Sequence, residues 1–102
     1  MKIYQLIWSY ECKPETAAEF EKEYAQNGAW FKFFEPCDDF LGQDLAKNIE
    51  TGHYILTDKW ISRASYEGHI AENKAEYDRL CEQFKALYEK EVLIGRFETV
   101  SW

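Results

Sequence analysis

Three side chains with usable chemistry stand close together in TDKWISRASYEGHI, Thr57 to Ile70: Trp60, Tyr66 and His69. A neutral imidazole titrates near pH 7 and accepts a phenolic proton, so His69 is a candidate general base. Tyr66 can orient a ligand carbonyl or phenol, and Trp60 and Trp8 offer flat faces for stacking. Each has a plainer reading. His69 can be a half-exposed helix histidine satisfied by water or by Glu72. Tyr66 can be a core tyrosine with its hydroxyl at the surface. A tryptophan at a strand end often fills the core with its N–H on a carbonyl. Trp30, Phe33 and Phe34 read either as a lid over a pocket mouth or as a short helix closing the core. Arg79 and Arg96 could stabilise an anion. Arg79 has helical-spacing partners in Glu76 and Glu82, whereas Arg96 lies in a strand among apolar residues. Asp58 alternates with Leu56 and Trp60, and a buried carboxylate there would have a raised pKa. The candidate site is therefore His69 and Tyr66 as catalytic groups, with Trp60, Trp8, Tyr4, Trp30, Phe34 and Arg96 as its binding wall.

Other residues carry less. Cys37 has no neighbouring histidine to activate it. His53 follows a turn at a strand edge. The histidines lie far apart and Cys12, Cys37 and Cys81 are isolated, so no metal-ligand spacing exists. No glycine-rich dinucleotide turn is present. No metal, haem or flavin is expected.

The elements that must position these residues follow from pattern. KIYQLIWSYE alternates with apolar residues on both faces, which predicts a central strand covered on two sides. Pro14 and Glu15 suit a first helical turn, and Ala17, Phe20 and Tyr24 share one helical face. Asn27-Gly28 ends that helix, and AWFKFFEP gives one or two further turns before Pro36. Phe40 to Asn48 is the second strand and His53 to Trp60 the third, joined as a hairpin. Ser62 is a natural N-cap. From it a helical stripe runs through Tyr66, Ile70, Tyr77, Leu80, Phe84 and Tyr88, as one bent helix or two consecutive ones, because Gly68 and Asn73 weaken the middle. EVLIGRFETVSW is a fourth strand running to the C-terminus, with Gly95 marking a bulge.

The order β-α-(short α)-β-β-α-β predicts an α+β, ferredoxin-like βαββαβ fold over residues 1–102 as one domain. Its four-stranded antiparallel sheet carries helices on one face. The bare face calls for a second copy, so a homodimer is expected. The chain has 102 residues, a net charge of -7 and 18% aromatic residues. That charge, with no basic stripe, argues against nucleic acid. No apolar run approaches a membrane span and the N-terminus does not read as a signal peptide. Three widely spaced cysteines suit a reduced, cytoplasmic setting.

YECKPETAAEFEKEYAQNGAWFKFF, then FLGQDL, then YILTDKWISRASYEGHI resemble the antibiotic biosynthesis monooxygenase-like family of dimeric α/β barrels. The resemblance runs from Met1 to about Tyr77 and rests on the order of the motifs. It implies a dimer made by packing two sheets and a pocket between sheet and helices in each protomer. It also implies oxidation of aromatic polyketides or quinols without metal or flavin, in which a deprotonated phenol itself reacts with oxygen. A haem-degrading branch of that family carries an Asn on the first strand and a Trp and a His on the helix after the third. Ile3 to Tyr10 has no Asn, and the other two positions fall near His69 and Arg79, so haem degradation is set aside. Two functions remain: a cofactor-independent monooxygenase acting on a small aromatic phenol, quinol or polyketide, and a catalytically silent dimer that binds a hydrophobic small molecule or is purely structural.

Overall fold

Alternation puts Tyr4, Leu6, Trp8 and Tyr10 on one face of β1 (Tyr4–Glu11) and Gln5, Ile7 and Ser9 on the other. In the computed structural model, which describes residues 2–100, β1 lies inside a four-stranded sheet of order β2-β3-β1-β4. The other strands are β2 (Phe40–Lys47), β3 (Tyr54–Trp60) and β4 (Lys90–Glu98), and every pairing is antiparallel. The inner face of the sheet buries Leu6, Tyr10, Tyr54, Leu56 and Trp60 against Phe20 and Tyr24 of α1 (Ala17–Tyr24), Trp30 and Phe34 of α2 (Ala29–Phe34), Tyr66 of α3 (Arg63–Glu72) and Leu80 and Phe84 of α4 (Lys74–Phe84). The ferredoxin-like α+β architecture expected from the pattern is the one observed.

Element ends differ from the pattern in instructive ways. The first helix starts at Ala17, not beside Pro14, because residues 14–16 form a turn. Thr16 N donates to Lys13 O at 3.1 Å, and Thr16 Oγ1 donates to Leu87 O at 2.9 Å. In the Asn27-Gly28 pair only Asn27 takes the left-handed conformation (φ 69°). Gly28 is required by crowding instead: a Cβ there would stand 2.5 Å from the carbonyl oxygens of Lys22 and Glu23. Ser62 caps α3 as expected, its Oγ accepting from Ser65 N at 3.1 Å. The long stripe breaks at Asn73 into two consecutive helices, and a 3-10 turn at Lys85–Leu87 leads to extended Tyr88.

The β4 bulge sits one residue from its predicted marker. Gly95 pairs with Ile7 and Leu93 with Trp8, which leaves Ile94 as the extra residue. The strand ends at Glu98, short of the C-terminus, and Ser101 and Trp102 lie outside the described residues. Among the described residues no helix packs on the outer face of the sheet. Ile7 and Ile55 lie on it by alternation, as do Val92 and Phe97, which are 42% and 43% exposed. No helix among the described residues is long and apolar enough to cross a membrane.

Candidate functional site

Between the inner sheet face and the helices lies a cavity of about 120 Å³. Every layer contributes an aromatic ring: Trp8 and Tyr10 from β1, Tyr24 from α1, Trp30 and Phe34 from α2, Tyr66 from α3, Tyr77 from α4, and Tyr88 beyond it. The polar contributions are Gln43 from β2, Asp58 from β3, Cys81 from α4 and Glu91 from β4.

Asp58 is the unusual member. Strand alternation forces it inward between Leu56 and Trp60, and it is 4% exposed. Gln43 is its register partner across β2 and β3, and Gln43 Nε2 donates to Asp58 Oδ1 at 2.7 Å. Burial pushes the carboxyl from 3.8 up to about 7, with the Gln43 hydrogen bond pulling the other way. The other shifted groups of the lining move away from neutrality. Burial raises the phenols of Tyr10, Tyr24 and Tyr66, raises those of Tyr77 and Tyr88 to about 12, and raises the Cys81 thiol. They remain protonated at pH 7 and act as hydrogen-bond donors. Asp58 alone among these shifted groups is poised to exchange a proton near neutral pH.

Of the residues singled out from the sequence, Trp8, Trp30, Phe34 and Tyr66 come together on the cavity wall. Trp60 does not reach it. It is fully buried under Phe34, Phe40, Tyr66 and His69, at ring separations of 5.2–6.0 Å, as a core filler. Its indole N–H was expected on a carbonyl and has no partner among the described residues.

His69 is half-buried and lies outside the cavity lining. Its Nε2 stands 2.8 Å from Phe33 O. A carbonyl only accepts, so Nε2 carries the proton and ties α3 to α2. Tyr4 and Arg96 also sit outside the lining, with Arg96 Nη1 donating to Tyr4 Oη at 2.6 Å and Tyr4 packed 6.1 Å from Tyr66. Arg79 is held by Glu76, as helical spacing suggested. Gln43 was not singled out from the sequence. Its signal was weak: an amide in a strand has meaning only once the register sets it opposite Asp58. Among the described residues no cluster of His, Cys, Asp and Glu could hold a metal ion.

Neither a protein-family profile nor a curated protein sequence matches the chain. Solved structures do. A Bordetella bronchiseptica protein provisionally assigned as an antibiotic biosynthesis monooxygenase superposes with a TM-score of 0.72 at 17% identity, over 100% of this chain and 99% of that one. SnoaB, a cofactor-independent oxygenase from Streptomyces nogalater, gives 0.71 at 15% identity over 97% and 92%. The ActVA-Orf6 monooxygenase of Streptomyces coelicolor, solved with nanaomycin D, gives 0.65 at 11% identity over 97% and 87%. The resemblance read from the motifs thus holds in three dimensions, and the chain has the protomer fold of the antibiotic biosynthesis monooxygenase-like proteins.

Proposed function

We propose that this protein is a cofactor-independent monooxygenase of a small phenol or hydroquinone, with Asp58 as the base. The observation that carries this reading is a buried carboxyl at about 7 facing an aromatic cavity. A dry cavity of about 150 Å³ accommodates benzene; one of about 120 Å³ suits a single aromatic ring better than a polycyclic substrate. Asp58 takes the phenolic proton, and Gln43 Nε2 holds Oδ1 so that Oδ2 is left to meet the hydroxyl. The phenolate forms a C–O bond with molecular oxygen at a ring carbon. The O–O bond then breaks as the same carbon loses its hydrogen as a proton; one oxygen stays on the ring as a quinone carbonyl, and the other leaves as water with that proton and the one held by Asp58. Tyr66 and its neighbours orient the ring through their protonated hydroxyls. The fold neighbours that are named oxygenases support the reading at the level of scaffold.

The protein works as a homodimer through its outer sheet face. Val92, Phe97, Ile7 and Ile55 support this, since an apolar sheet face of that kind is normally covered. The test of the chemistry is oxygen uptake with single-ring phenols and hydroquinones, corrected for autoxidation. Asp58→Asn lowers enzyme-dependent uptake by roughly 10²–10⁴-fold. Full uptake by that variant removes Asp58 from the mechanism. Phenol binding without any uptake leaves a catalytically silent binding module.

A further inference from the structure

The cavity contains two carboxylates, and the proposed chemistry uses one. Asp58 pairs with Leu6 on one side of β1, and Glu91 pairs with Tyr10 on the other. Leu6 and Tyr10 are four residues apart, so the backbones of Asp58 and Glu91 are displaced by about 13 Å along the strand, and their side chains meet the cavity from different strands. Their surroundings differ. Asp58 is buried, whereas Glu91 is exposed to solvent. The Tyr10 hydroxyl donates to Glu91 Oε2 at 2.7 Å and fixes the carboxylate against the rings. Among the described residues the lining holds eight aromatic side chains and no Lys, Arg or His; Arg96, beside Leu6 on the same sheet face, lies outside it and is tied to Tyr4. Aromatic faces with carboxylates and no cation favour a positively charged guest and disfavour a carboxylate. Two buried polar atoms of the lining have no partner among the described residues: Gln43 Oε1, which accepts, and Trp30 Nε1, which donates.

We infer that the ligand of this cavity is a phenol bearing an ammonium group on a short alkyl arm, with its hydroxyl at Asp58 and its ammonium at Glu91. This rests on the phenol reading above and adds the charge and shape of the substrate. Glu91 is the specificity-determining residue: it selects the amine and takes no part in the proton transfer. A ring with a two-carbon arm holds its hydroxyl and ammonium far enough apart to use both carboxylates, once the side chains of Asp58 and Glu91 reach inward.

Three matched probes separate the ideas by calorimetric titration at pH 7: 3-ethylphenol, 3-(2-aminoethyl)phenol and (3-hydroxyphenyl)acetate. The amine binds about 10-fold tighter than 3-ethylphenol, and the acid binds more weakly than either. Glu91→Gln keeps the acceptor for Tyr10 and abolishes the advantage of the amine over 3-ethylphenol. Far-ultraviolet circular dichroism and the urea midpoint of the variant report that it is folded. Equal binding of amine and ethylphenol, or an amine advantage that survives Glu91→Gln, overturns the inference and leaves the phenol reading in place. Absence of binding by all three probes removes the phenol reading and this one with it.

Discussion

Asp58→Asn should change the pH dependence of stability in a direction opposite to most carboxylate substitutions. In the unfolded chain the carboxyl titrates at 3.8; in the fold burial raises it to about 7. A raised folded-state value makes its contribution greatest below pH 3.8, where both states are protonated. As pH rises past 3.8 the unfolded state releases a proton that the folded state retains, so stability falls until the folded carboxyl also ionises near 7. The change from 3.8 to about 7 corresponds to ~4 kcal/mol lost across that window. The group is buried, so solvent screening takes little from this.

Asparagine keeps the acceptor for Gln43 Nε2 and does not titrate. All other ionisable groups are common to both proteins and cancel in the difference. Urea unfolding at fixed protein concentration, from pH 4 to pH 8, should therefore find the variant progressively more stable than the wild type. With m of ~1.5 kcal/mol/M, the gap between midpoints widens by ~2.5 M over the series. A gap that stays constant with pH would refute the reasoning, because it would mean that Asp58 is solvated or already ionised in the folded state.

Trp60→Ala costs about 3–5 kcal/mol in the same urea assay, because the indole is fully buried under four rings. His69→Ala removes the tie to Phe33 O and lowers stability by about 1–2 kcal/mol, while oxygen uptake per folded protein stays within a few-fold of wild type; a loss of 10²-fold or more would restore His69 as the base. Val92→Lys places a charge on the bare sheet face and shifts sedimentation from a dimer toward the 12.2 kDa species; a wild type that sediments only at 12.2 kDa at micromolar concentration would sink the dimer.

The elements were legible because each has a local cause. The alternation in Tyr4 to Tyr10, the Ser62 cap and the glycine beside the β4 bulge act over a few residues and survive into the fold. The start of α1 was not, because it is set by Thr16 reaching Leu87, a contact no local pattern contains. The site divides in the same way. Trp8, Tyr66, Trp30 and Phe34 meet on one cavity wall because strand and helix periodicity decide which way a ring points. His69 lies close to the Tyr66 face by periodicity, but facing says nothing about what a ring nitrogen meets there. The end of α2 puts Phe33 O in its path. Asp58 was readable as inward-pointing with a raised pKa, which burial supplies; its partner Gln43 was not, because only the strand register sets the two opposite each other.

A buried Asp58 is hard to explain as architecture. Its single amide partner offsets only part of the burial cost, and the ~4 kcal/mol lost by neutral pH is a large fraction of the 5–15 kcal/mol by which domains are stable. The position pairs with Leu6 on β1 and lies between Leu56 and Trp60 on β3, so an apolar side chain would pack there and remove the penalty. Nor does Asp58 close a polar network among the described residues, because Gln43 Oε1 has no partner there. A charge held at that cost, facing a ring-lined cavity, is the arrangement expected when proton exchange at the site matters more than stability. Gln43 fits the same account: it pulls the carboxyl down from where burial alone would leave it. Replacing it with leucine should move Asp58 upward, shifting the pH at which oxygen uptake rises toward the alkaline side.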